Sequence, residues 1–202
     1  MKWYKYDIRT LTDDEYRYWY TLMSAEKRRR VDGLRFVDDR KRTVVGEMLA
    51  RKAIAEWCCV QPQDIVFYVG DHGKPYVKNL PIEFNISHSA DMVVCAVDSR
   101  PIGIDVERVR PVNLKVAKRI FVEEELRYVF GHDPVESELV LSTDVSVLTR
   151  FFLCWTAREA YGKRIGDGLS VAGIPPSSDR STIIEEEYVI TIFCDDISRK
   201  DG

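Results

Sequence analysis

The sequence predicts an α+β fold built as two similar halves packed on each other. Three observations carry that expectation. Two long segments, 42–57 and 146–165, have helical apolar periodicity. Short β-branched runs cluster at 84–107 and again near both ends. No low-complexity linker interrupts the 202 residues, yet each half offers a long amphipathic helix accompanied by strands. The seam is expected near residue 100, giving subdomains 1–100 and 101–202.

The elements follow in order. "KWYKYDIR" (2–9) alternates like an opening strand. "TDDE" (12–15) is a Thr-x-x-Glu capping box that starts a helix. The basic stretch 26–42 is helical in part. Over 42–57, Val45, Met48, Leu49, Ala53 and Trp57 form one apolar stripe. "DIVFYV" (64–69) is a strand, "GDHGKP" (70–75) a turn, and "PYV" (75–77) a returning strand. Strands at 92–98 and 102–107, joined by "DSRP", are expected to form a hairpin. Residues 113–130 read as one helix, and 131–144 as a polar, irregular, mobile loop. The helix over 146–165 ends at Gly166, a residue suited to a left-handed cap. One or two strands over 182–195 close the chain.

Composition narrows the function classes. The chain is 45% hydrophobic with a net charge of −3, enough apolar residue for a core and no basic excess for nucleic acid. Against this background "EKRRRVDGLRFVDDRKR" (26–42) is densely basic. It reads as a solvated helix face or as a patch for a polyanionic ligand. The five cysteines are odd in number and include no Cys-x-x-Cys, a pattern of reducing compartments. "MKWYKYDIRT" lacks a signal-peptide apolar region, and no apolar run reaches membrane-spanning length. A soluble cytoplasmic protein is expected.

Three short stretches carry chemistry. In "PIGIDVERV" (101–109), strand alternation puts Gly103, Asp105 and Glu107 on one face and Ile102, Ile104 and Val106 on the other. Two adjacent carboxylates repel, so something must neutralise them. They either face solvent on an edge strand, pair with Arg108 and Arg110, or hold a hard divalent cation that also binds substrate phosphates. In "WTAREAYGK" (155–163), Trp155, Glu159 and Lys163 share a helical face at i, i+4 and i+8. That is a surface ion pair, or a third carboxylate with a lysine beside the phosphates. In "FNISHS" (84–89), His88 is a structural residue, or with Ser87, Ser89 and free turn amides it receives a phosphate. Lys74 adds a further phosphate contact.

Taken in order, "FNISHS", "GIDVE" and "WTAREAYGK…GDGLS" resemble the 4′-phosphopantetheinyl transferase superfamily, in its long two-domain, surfactin-synthetase type. The resemblance runs along nearly the whole chain, including "GKP" and the "AKRIF" helix. It implies an active site in the cleft between two pseudo-symmetric halves. It implies transfer of the phosphopantetheine arm of coenzyme A to a serine of an apo acyl or peptidyl carrier protein, with release of adenosine 3′,5′-bisphosphate. Asp105, Glu107 and Glu159 match the family's Mg²⁺ ligands, with Mn²⁺ an alternative metal. His88 matches the histidine at the coenzyme A phosphates and Lys163 the lysine at the pyrophosphate. Lys27, Arg30, Arg42, Lys74 and Ser87 match positions lining the coenzyme A site.

The resemblance also implies that Glu159, directly or through a water on the metal, is the base that takes the carrier serine's proton, with His88 as competitor. Beside Mg²⁺ and Lys163 the Glu159 carboxyl is expected to have a depressed pKa, and a histidine facing phosphate to be protonated. Arg158 stands where the family's Trp-x-x-Lys-Glu motif has lysine, which points to packing or ligand contacts rather than chemistry. A double-length chain is expected to be a monomer without nucleic-acid or membrane partners. The competing functions are another Mg²⁺-dependent enzyme cleaving a nucleotide pyrophosphate, separable by carrier dependence, and a non-catalytic coenzyme A- or carrier-binding module, separable by absence of turnover.

Overall fold

The computed structural model of the chain describes residues 1–70, 73–166, 174 and 179–194. The first half runs β1 (Lys2–Asp7), α1 (Asp13–Leu22), α2 (Ala25–Asp32), α3 (Val37–Cys58), the hairpin β2 (Phe67–Val69) and β3 (Pro75–Val77), β4 (Glu83–Ser89) and β5 (Met92–Asp98). The second runs β6 (Ile102–Arg108), β7 (Val112–Asn113), α4 (Ala117–Ile120), α5 (Glu123–Phe130), β8 (Leu141–Ser142), α6 (Val145–Ile165), β9 (Arg180–Glu185) and β10 (Tyr188–Cys194).

Local chemistry sets the element ends. Thr12 and Glu15 form the capping box of α1, and the Ser24 hydroxyl caps α2. Asp144 accepts from the Ser146 and Val147 amides to start α6, and Gly166 ends it at φ 87°.

Two antiparallel sheets carry the architecture, ordered β1-β5-β4 and β6-β10-β9. In each half the order is first strand, last strand, middle strand. Both closing hairpins turn in two residues, Ala90–Asp91 and Glu186–Glu187, with Ala90 and Glu186 at positive φ. The Ile8 amide donates to the Asp91 carbonyl, and the Val109 amide to that of Glu187. The halves are therefore copies of one β-α-β-β unit, equivalent residue by residue along β1 and β6. By that register Tyr4, opposite Cys95, stands where Asp105 stands opposite Thr191, and Tyr6 stands where Glu107 stands.

The layers follow from which face each residue takes. Val93, Cys95 and Val97 of β5 pack with Phe84 against α3 residues Val45, Met48, Leu49 and Ala53. From the opposite face Val94 and Ala96 meet Ile102, Ile104, Val106, Ile190 and Ile192, the core between the two sheets. Behind the second sheet, Phe151 and Phe152 of α6 pack with Leu114, Ala117 and Val189. The order of layers is thus α3, first sheet, second sheet, α6.

Several expectations need correction. Strands β5 and β6 do not form a hairpin: they belong to different sheets, and β6 pairs with β10. Both strands have apolar faces buried in the same inter-sheet core, so the short link between them crosses layers instead of folding back. Residues 113–130 are not one helix. The chain is extended at Phe121 (ψ 142°), which drops that ring into the core 5.3 Å from Phe151, and Glu125 then caps α5 by accepting from the Val122 amide. Residues 131–144 include a 3₁₀ turn (Glu136–Glu138), the buried Leu139 and strand β8. Helix α3 starts five residues ahead of the predicted stripe, and β2 keeps only three residues of its predicted strand. Parts of the predicted "GDHGKP" turn (71–72) and of "GDGLS" (167–170) lie outside the described residues. Among the described residues no helix is long and apolar enough to cross a membrane.

Candidate active site

The face shared by Gly103, Asp105 and Glu107 is covered by α6. Gly103 is what lets the helix approach. A Cβ at this position would lie 1.9 Å from the Ala160 carbonyl oxygen and 2.7 Å from the Arg164 amide nitrogen, closer than any side chain can sit. Strand and helix backbones touch there. Glu159 and Lys163, flanking Ala160 on the helix, are thereby delivered to the carboxylates beside the glycine.

Asp105 is the centre of the arrangement. Its side chain is buried, and Oδ1 accepts from Lys163 Nζ (2.6 Å) and from Ser87 Oγ (2.7 Å). Lys163 also donates to Ser87 Oγ (2.9 Å). Glu107 is partly buried, and its Oε2 accepts from Ser89 Oγ (2.7 Å). The two serines come from β4, in the first half of the chain, and the carboxylates from β6, in the second.

Strand β6 is an edge of its sheet, and β4 side chains satisfy that edge. Asn85 Oδ1 accepts from the Ile104 amide (3.1 Å) and Ser89 Oγ from the Arg108 amide (3.2 Å). Side-chain oxygens take the place of a neighbouring strand.

The electrostatics reflect crowding of negative charge. Burial raises the Asp105 pKa, with Lys163 opposing. Burial raises Glu107, and Asp105 adds to the effect while Ser89 opposes it. Burial also raises Glu159, reinforced by Asp105 and Glu107 and opposed by Lys163. The upward direction at Glu159 reflects burial and the two neighbouring carboxylates, whereas the depressed value expected above belongs to a carboxylate with a cation bound to it. His88 is exposed to solvent on one side, and crowding by the surrounding protein and then the Arg42 and Lys163 charges shift its pKa down. Without a facing anion it is held towards the neutral form.

These carboxylates do not close into a cage by themselves: among the described residues no three acidic, histidine or cysteine side chains gather closely enough to enclose an ion. The donor set nevertheless fits a hard divalent cation. The oxygens are carboxylates, the preferred ligands of Mg²⁺. Asp105 Oδ2 is buried without a hydrogen-bond partner, an unmet acceptor beside Glu107 and Glu159, whose pKa values the Asp105 charge raises.

The remaining predicted residues sort by position. Arg42 donates to the Ala90 carbonyl (2.7 Å) at the turn after His88. Lys74 donates to the Lys163 carbonyl (3.3 Å), which brings the "GKP" stretch to the end of α6. Ser87 uses its hydroxyl proton on Asp105. Lys27 instead pairs with Glu47 (2.8 Å), itself buried against Arg51, so its charge is committed within the α2–α3 packing. Arg30 is exposed on α2. Arg158 is buried and forks onto Glu125, with Nε 3.0 and 2.9 Å from the two carboxylate oxygens, tying α6 to the start of α5. Sequence reasoning missed Asn85, and it took Ser89 for a phosphate contact where the structure has its hydroxyl on Glu107. The available signal was their alternation with Phe84, Ile86 and His88, which puts Asn85, Ser87 and Ser89 on one face of β4.

Comparison with known proteins is consistent with this geometry. Residues 10–100 match the family described as 4′-phosphopantetheinyl transferase, N-terminal, and residues 101–197 match the 4′-phosphopantetheinyl transferase superfamily. A 4′-phosphopantetheinyl transferase of Bacillus subtilis is 34% identical over 88% of this chain and 87% of its own length. The 4′-phosphopantetheinyl transferase Sfp of Bacillus subtilis strain 168 is 35% identical over 82% of this chain and 70% of its own. HetI of Nostoc is 33% identical over 73% and 61%. Matches that cover both halves, over a fold that repeats one unit twice, establish that the chain belongs to the 4′-phosphopantetheinyl transferase superfamily.

Proposed function

We propose that this enzyme transfers the 4′-phosphopantetheine group of coenzyme A to a serine of an apo acyl or peptidyl carrier protein, releasing adenosine 3′,5′-bisphosphate. The observation that carries the reading is the meeting of Asp105 and Glu107 with Lys163 and Glu159 at the seam between halves, beside His88, Arg42 and Lys74.

Asp105, Glu107 and Glu159 would hold Mg²⁺, or Mn²⁺ in its place. Such an ion supplies charge neutralisation of a pyrophosphate. The protein's own groups do the rest. Lys163 stabilises charge on the leaving bisphosphate, and His88, Arg42 and Lys74 offer cations and donors to the coenzyme A phosphates. Ser87 acts by holding Asp105 and Lys163, while the exposed Arg30 contributes positive potential from α2 and Lys27, paired with Glu47, acts only through the packing of that helix. Glu159, directly or through a water, takes the proton of the carrier serine, whose oxygen attacks the β-phosphorus as the bond from that phosphorus to the oxygen bridging the pyrophosphate breaks, and that oxygen leaves on the 5′-phosphate of adenosine 3′,5′-bisphosphate. Phosphate bound against His88 would reverse the shift seen in the free chain and hold the imidazolium.

The repeat supports one site per chain and a monomer. At the positions equivalent to Asp105 and Glu107 the first half has Tyr4 and Tyr6, and Tyr4 is engaged with Glu56 (2.6 Å). The five thiols are all unpaired, which favours the cytoplasm.

The test incubates the enzyme with coenzyme A, Mg²⁺ and a panel of apo carriers, read by intact mass. It then compares Glu159→Gln with His88→Ala at saturating coenzyme A. Glu159→Gln is expected to lower turnover, whereas His88→Ala weakens coenzyme A binding and recovers at high ligand. Turnover lost in His88→Ala at every coenzyme A concentration, with Glu159→Gln active, exchanges the two roles. Cleavage of coenzyme A without any carrier rejects the transfer reading.

A further inference from the structure

We infer that Ser89 is a positioning residue for Glu107, and that Asn85, Ser87 and Ser89 of β4 form a ladder that aims the two strand carboxylates at their ligand. The inference deepens the proposed function and rests on its reading of Asp105 and Glu107 as metal ligands.

The geometry is specific. Ser89 Oγ has one proton, and Glu107 Oε2 at 2.7 Å receives it. Ser89 Oγ itself accepts from the Arg108 amide at 3.2 Å, which fixes the rotor with its proton aimed at the carboxylate. Ser87 repeats the device one step along the strand, donating to Asp105 Oδ1 at 2.7 Å and accepting from Lys163 at 2.9 Å. Asn85, one step further, accepts from the Ile104 amide and anchors the ladder to the edge of β6. In each carboxylate one oxygen is thus held by a serine, which sets the direction of the other. For Asp105 that other oxygen is the buried Oδ2, without a hydrogen-bond partner.

The ladder belongs to the first half and the carboxylates to the second. A ligand set built this way has correct geometry only when the halves are in register. Outer hydrogen bonds of this kind orient metal-binding side chains, and their loss commonly weakens metal affinity 10- to 100-fold.

The test measures Mn²⁺ binding to the full chain by electron paramagnetic resonance of the free ion, with coenzyme A present, for the unaltered protein, Ser89→Ala, Ser89→Cys and Ser89→Thr. Ser89→Ala is expected to weaken Mn²⁺ binding about tenfold. It should raise the Mg²⁺ needed for half-maximal transfer equally, and leave the KM for coenzyme A at saturating Mg²⁺ nearly unchanged. Ser89→Cys fills the same space with a weaker donor and is expected to fall between; it also serves if the alanine variant does not fold. Ser89→Thr keeps the hydroxyl and should restore binding. Mn²⁺ affinity unchanged in both Ala and Cys variants overturns the inference, as does a threonine variant no better than alanine. If the unaltered protein binds no Mn²⁺, the metal reading itself fails and takes this one with it.

Discussion

The backbones of Gly103 and Ala160 are in direct contact: a methyl group on Gly103 would lie 1.9 Å from the Ala160 carbonyl oxygen. Because both partners are backbone, no side-chain rotation relieves the overlap. Gly103→Ala must lift α6 from β6 and carry Glu159 and Lys163 away from Asp105. The expected outcome is a loss of about 3 kcal/mol in urea unfolding, together with transfer activity at least tenfold lower.

Asp105 gives a prediction with a definite pH sign. Its pKa is raised in the folded chain, mainly by burial. Between the unfolded carboxyl value, about 4, and the raised one, the folded state binds the proton more tightly, so metal-free stability falls as pH rises through that window. Asp105→Asn removes this contribution. Its melting temperature relative to the unaltered protein should improve progressively above pH 4, while stabilisation by Mg²⁺ with coenzyme A is lost. Calorimetry across pH 4–8 would contradict the assignment if the variant gains nothing and keeps that stabilisation.

Arg158 accounts for the departure from the family's lysine. Its guanidinium meets Glu125 with two nitrogens, Nε 3.0 and 2.9 Å from the two oxygens and Nη2 2.7 Å from Oε2, a contact that one ammonium cannot reproduce. Arg158→Lys is expected to destabilise the enzyme by roughly 1–2 kcal/mol with little change in the KM for coenzyme A. A large change in that KM with normal stability would place Arg158 at the ligand instead.

Asp98 sits at the last residue of β5, buried, with Arg100 Nε at 2.8 Å and the Met1 amino group at 2.8 Å. Burial would raise its pKa, but these partners and Cys194 outweigh it and hold the carboxyl well below its usual range. A depressed acid stabilises the fold above its unfolded pKa, near 3.9, and that contribution disappears as pH falls through the folded value. Asp98→Asn should therefore lose about 2 kcal/mol at pH 7, and the gap to the unaltered protein should narrow progressively as pH falls below about 4. A pH-independent gap would show that the carboxyl's charge is not what stabilises the seam.

Much was determined by sequence alone, because it depends on near neighbours in the chain. The alternation of "GIDVE" fixes which residues share a strand face, and the i, i+4 spacing of Glu159 and Lys163 fixes a helix face. The Thr12–Glu15 box and the Gly166 cap are equally local. Tertiary structure decided what those faces meet. Nothing in 92–107 distinguishes a hairpin from a crossing between layers, since apolar residues of both strands enter the same core either way; pairing with β10, far along the chain, settled it. The break at Phe121 came from a pocket beside Phe151, not from a helix-breaking residue. Lys27 was drawn to Glu47 because a carboxylate buried in α3 needs compensating charge. And the Ser89–Glu107 contact joins residues 18 apart in the chain whose strands lie in different sheets, so it exists only once the two halves pack face to face.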